Sequence, residues 1–161
     1  MAYNENYGGR PNFGGNRQNR PFNNVGNGYG QPPKKDMPEW VETEFQAEWI
    51  TKKIDADFIQ YAEKAGKELK NQGLSSSQIR NIYGEMKRIQ LGKFDDLKTS
   101  FLLLKPKLAY NVGRNGTQGL KTFQKIFDMC YQHVSDDEKK FGNFCSVIEA
   151  IIAYHRAYGG K

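Results

Sequence analysis

Residues 135–160 read SDDEKKFGNFCSVIEAIIAYHRAYGG. Phe141, Phe144, Cys145, Ile148, Ile151 and Ile152 recur there at steps of three and four. That is one face of a 3.6-residue turn, so the stretch predicts an amphipathic helix that stops at Gly159-Gly160. Ser135, with Glu138 three residues on, predicts a capping box at its start. A helix with so broad an apolar stripe must bury it against others.

Working back toward the N-terminus, the partners are there. Leu120, Phe123, Ile126, Phe127 and Cys130 make a second stripe. Phe94, Leu97, Phe101, Leu104 and Leu108 make a third, with Pro106 inside it expected to kink or interrupt the helix. Gly113 and the NGTQG run are expected to close that segment. Ile79, Ile82, Met86 and Ile89 follow Ser75 or Ser76 as N-cap and end at Gly92. Phe58, Tyr61, Ala62, Ala65 and Leu69 precede a Gly73 stop. Trp40, Phe45 and Trp49 mark a segment, residues 40–54, whose period is ambiguous. No strand alternation competes. The expectation is an all-α fold: a compact bundle of about five helices, residues 39–161, behind a disordered N-terminal tail, residues 1–38.

The tail reads NENYGGRPNFGGNRQNRPFNNVGNGYGQPPKKDMP over residues 4–38. It has no apolar period and too little apolar surface to offset chain entropy. Arg10, Arg17, Arg20, Lys34 and Lys35 against Glu5 and Asp36 give it +3 of the chain's +6. Interleaved Arg, Gly and aromatic residues suit single-stranded nucleic acid; a solvating linker has the same composition.

The sequence pI near 9.2 favours polyanionic partners but says nothing about fold. Cys130 and Cys145 lie on apolar stripes, as free buried thiols in a reducing cytoplasm would. No run reaches the ~18 apolar residues of a membrane span. No signal peptide is visible, so a cytoplasmic location is expected.

Catalytic and metal constellations are weak. The two histidines are His133 and His155, and His155 shares the stripe of Ile148, Ile151 and Ile152. Cys130-x-x-His133 with Cys145 and His155 lacks the paired short spacings of a zinc site. Asp95-Asp96 and Asp136-Asp137-Glu138 fall in first turns of helices, where the dipole favours acids. Neither GRNGTQG nor the tail glycines match a phosphate-binding loop. No metal, cofactor or small-molecule substrate is implied. A ribonuclease using His155 with Glu149 is the remaining enzymatic rival.

The basic residues group better. Arg80 and Lys87, seven apart, avoid the Ile79–Ile82 stripe, with Arg88 further round. Lys107, Tyr110 and Arg114 are spaced i, i+3, i+7, flanked by Lys105. Rows of cations on helices match successive phosphates, and tyrosine can hydrogen-bond or stack. The same face would also suit an adaptor that meets acidic protein surfaces.

Three stretches carry a resemblance. They are LSSSQIRNI at residues 74–82, LKPKLAYNVGR at 104–114 and EAIIAYHRAYGGK at 149–161. In this order they resemble the small subunit of type III-A CRISPR effector complexes, the Csm complexes, over residues 57–161. The resemblance implies a non-catalytic helical subunit, present in several copies, that lines a filament on guide RNA and touches the backbone of the guide–target RNA duplex. Its implied partners are guide RNA, target RNA, other Csm subunits and copies of itself. Carried over residue by residue, RNA contacts are expected at Arg80, Asn81, Lys105, Lys107, Tyr110 and Arg114. Lys87 and Arg88 join them from helical geometry alone. At His155 and Arg156 packing or subunit contact is expected instead.

Overall fold

The computed structural model describes residues 36–161. The expectations for residues 1–35 lie outside the described residues. Among the latter there are seven helices and no strand: α1 Trp40–Thr43, α2 Glu48–Thr51, α3 Ala56–Asn71, α4 Ser76–Leu91, α5 Phe94–Asn115, α6 Gln118–Tyr131 and α7 Glu138–Ala157.

α7 is the hub. Its stripe from Phe141 to Ile152 is buried and meets α2, α3, α4 and α6. α5 closes the bundle by packing on α4 and α6. On the inner side of α5, Phe94 stacks on Phe141 and Phe101 stacks on Tyr131, while Phe101 meets Phe141 and Phe144 edge-on and Phe127 is edge-on to Phe144 at 5.1 Å. Such aromatic pairs contribute about 0.5–1.5 kcal/mol each beyond their burial. α3 and α7 run closest at Gly66, where an added Cβ would lie 2.6 Å from the His155 nitrogen and from Tyr154 Cβ.

Chain reversals use the residues that the sequence offers. Gly73 (φ 77°) and Gly159 (φ 86°) take the left-handed conformation after α3 and α7. The paired bonds Gly73 N to Lys70 O and Leu74 N to Leu69 O make the first a Schellman close. Gly159 N to Arg156 O and Gly160 N to His155 O make the second. Ser75 is the N-cap of α4, and Gln78 Oε1 accepts from its N–H at 2.9 Å.

The five expected helices are α3 to α7, and residues 40–54 add two one-turn helices. Some local expectations need correction. Pro106 does not interrupt α5, which runs on to Asn115 with Gly113 inside it. A proline leaves the carbonyl four residues back without its helical donor. Here that is Leu102 O, and the Tyr131 hydroxyl donates to it at 3.4 Å. Ser135 does not cap α7; it sits at φ 52° in the preceding turn. Asp137 is the N-cap instead, its carboxylate accepting from Lys140 N–H at 3.0 Å. Asp136 therefore precedes the helix.

Residues 40–54 lack a single period because they form two one-turn helices that bury Val41, Trp49 and Ile50, and hydrogen bonds fix them further. Tyr61 donates to Val41 O at 2.8 Å, and Asn143 donates to Ile50 O at 2.9 Å. Asp55 joins the segment to α3: one oxygen accepts from Phe58 N–H and from the Trp49 indole, both at 3.0 Å. Asp55→Ala should therefore cost about 1–2 kcal/mol in denaturant unfolding, and Asp55→Asn much less. An unchanged midpoint for Asp55→Ala would show that this junction carries no stability.

Candidate nucleic-acid interface

α4 and α5 pack side by side, and between them runs an open groove of about 790 Å³. Helical spacing sets its walls. On α4, positions 80, 81 and 84 face outward once Ile79, Ile82 and Met86 are buried. On α5, positions 107, 110, 111 and 114 do so once Leu104 and Leu108 are buried. Gly84 lies on the groove wall beside open space, where a Cβ would meet nothing within 4 Å.

Five of the expected contact residues line it: Arg80, Asn81, Lys107, Tyr110 and Arg114. Tyr110 is 66% exposed, an unusual position for an aromatic ring with no packing to gain. Arg80 and Arg114 have no ion-pair partner among the described residues, whereas Lys107 reaches Glu85 at 3.1 Å.

The other three stand elsewhere. Lys87 turns to α7, where Glu149 takes its ammonium at 2.8 Å, and this bond raises its pKa. Arg80 and Lys87, expected together, are thus separated. Lys105 faces α6, 3.8 Å from Asp128 and over the Tyr131 ring. Arg88 bonds Glu85 through two nitrogens at 3.0 Å and Ser100 at 2.9 Å.

Sequence reasoning missed Asn111 and Glu85. Asn111 completes the i, i+3, i+4, i+7 stripe begun by Lys107, and that spacing was a usable signal. Glu85 was half legible as the i, i+3 partner of Arg88; its bond to Lys107 crosses between helices. Hydrogen bonds from Arg88 and then Lys107 hold its carboxyl down at about 2. A folded-state pKa below the ordinary value stabilises the fold above the usual glutamate range, and this contribution is lost as pH falls toward 2. The carboxyl carbon of Glu85 should accordingly titrate near 2 by NMR and move upward in Arg88→Ala. A midpoint in the ordinary glutamate range for the wild-type chain would mean that neither cation is held there.

The rival chemistry finds no assembled site. His155 is fully buried, with Nε2 2.8 Å from Leu74 O, and Glu149 is engaged by Lys87. His133 stacks on Phe45. Cys130 and Cys145 are buried free thiols; burial raises both pKa values, Cys145 to about 12, which keeps them protonated. Among the described residues, no three His, Cys, Asp or Glu side chains come together as metal ligands, and no helix is long and apolar enough to cross a membrane.

Comparison with known proteins supplies one match. The family model Csm2 Type III-A aligns with residues 52–161, which span α3 to α7 and the whole groove. No curated protein and no solved structure matches. The match covers well over half of the chain and includes all three resembling stretches, so this chain belongs to the Csm2 Type III-A family, the small subunit of type III-A CRISPR Csm complexes.

Proposed function

We propose that the chain is a non-catalytic RNA-binding subunit whose α4–α5 groove holds the backbone of the guide RNA–target RNA duplex, with several copies lining the effector filament in the cytoplasm. Residues 39–161 form the binding domain, and residues 1–38 are an appended tail. The observation that carries this reading is the convergence of Arg80, Lys107 and Arg114, from two helices, on one open groove beside an exposed Tyr110. Base pairing reads sequence in such a complex, and protein reads charge and shape. Lys87 and Lys105 have carboxylate partners outside the groove, and Arg88 is held by Glu85 and Ser100 without lining it, so all three serve as its flanks and not as its floor.

Binding by displaced counterions falls steeply with salt, by roughly 0.7–0.9 in log K per log salt for each phosphate engaged. The wild-type chain should therefore bind unrelated RNA duplexes with similar affinity at low salt. Fluorescence anisotropy across a salt series should give a slope of about −2 to −3 for three cations. The chain should also co-purify with small RNA of defined length when its partner subunits are present. Absence of RNA affinity at low salt, together with RNA-free complexes, would favour an adaptor that meets acidic protein surfaces.

A further inference from the structure

At one end the groove opens into a smaller recess of about 270 Å³, which shares Asn81, Asn111 and Arg114 with it. Apart from Arg114 the recess holds no charged residue; side-chain amides dominate it. Gln78 and Asn81 come from α4 at i, i+3, and Asn111 and Asn115 from α5 at i, i+4. Gln78 is already committed. Its amide nitrogen donates to Asn115 O at 3.2 Å and to Thr117 Oγ1 at 3.3 Å, and its oxygen accepts from Ser75 N–H. It braces the recess where α4, α5 and α6 meet. The Asn81 and Asn111 side chains, in contrast, make no hydrogen bond with any described residue.

The chemistry of free amides differs from that of the cation stripe. A phosphate oxygen only accepts, and guanidinium or ammonium groups suit it. An amide both accepts and donates, as a hydroxyl does. A duplex also shows base edges in its minor groove, but these differ with sequence, whereas every nucleotide of an RNA strand carries the same ribose. In an A-form helix the 2′-hydroxyls line the wide, shallow minor groove within reach of a bound protein. A group next along the strand from a phosphate on Arg114 is a ribose.

We infer that Asn81 and Asn111 form a ribose site, which hydrogen-bonds the 2′-hydroxyl next to the phosphate held by Arg114 and so makes the chain prefer RNA to other polyanions of the same shape. This rests on the backbone-binding reading above. The test compares an RNA duplex with the same duplex carrying 2′-fluoro sugars, which keep A-form shape and charge but lose the hydroxyl. With the full chain in anisotropy titrations, the wild type should bind the 2′-fluoro duplex about five- to tenfold more weakly, as two ordinary hydrogen bonds allow. Asn81→Ala/Asn111→Ala should bind both duplexes equally, at the wild type's 2′-fluoro level, with unchanged circular dichroism. Equal wild-type affinity for the two duplexes, both tight, would overturn the ribose site and leave backbone binding standing. So would a double variant that retains the wild-type preference. Failure of the wild type to bind either duplex would overturn both.

Discussion

Lys107→Ala/Arg114→Ala is expected to bind duplex RNA about 10- to 100-fold more weakly than the wild type, without loss of helicity. Each side chain lies outside the core on the groove wall, so its removal leaves no cavity. A charge-assisted contact contributes about 1.5–3 kcal/mol when well formed, and solvent exposure reduces that. At about 0.7–1.4 kcal/mol each, two lost contacts give the stated range. The slope of log affinity against log salt should flatten by about 1.4–1.8, which a structural defect would not produce. Arg114 should carry the larger share, because Lys107 must first leave Glu85. Wild-type affinity and slope in the double variant would remove the groove from consideration.

Gly66→Ala should be among the most damaging small substitutions, alongside Gly119→Ala, where a Cβ also meets backbone at 2.6 Å. In an exposed helix, glycine to alanine stabilises by about 1 kcal/mol. At Gly66 the new methyl would lie 2.6 Å from a backbone nitrogen of α7 and 2.8 Å from the Tyr154 carbonyl carbon, and neither atom can swing aside. The two helices must separate, and the burial of Ala62, Ala65, Ile151 and His155 loosens with them. Overpacking of this kind costs about 1–3 kcal/mol or more, a fall of roughly 5–15 °C in Tm for a domain of this size. Gly142→Ala, also within a helix but with nothing within 4 Å of its Cβ, should instead raise Tm by a few degrees. Thermal melts of the pair read opposite signs from one chemical change. A Gly66→Ala melt at or above the wild-type temperature would mean that α3 and α7 are not in contact there.

The long helices were legible because their apolar residues obey one period and their stops are glycines. Residues 40–54 were not, since their one-turn helices are too short to show a period and Tyr61 and Asn143 hold them from a distance that no local pattern encodes. Ser135 was misread for a similar reason: its capping-box spacing was right, but Asp137, two residues on, offered a carboxylate nearer the true start. Of the kink or interruption expected at Pro106, the interruption does not occur, and the donor to the carbonyl it orphans, Tyr131, belongs to another helix. On the groove, the α5 stripe was visible as spacing alone. Which of the α4 cations shared it was not, because Arg80 and Lys87 diverge only once Glu149 is brought alongside by α7.

Glu85 is a carboxylate placed on a wall lined with cations, and this has a consequence for selectivity. Lys107 already has an anion at 3.1 Å, tethered and therefore present at a high effective concentration. On the proposed reading, a free nucleotide or inorganic phosphate meets this carboxylate as a competitor at Lys107, whereas a strand that also engages Arg80 and Arg114 offsets the exchange. Glu85 would then tilt the Lys107 position toward polymers and away from small anions.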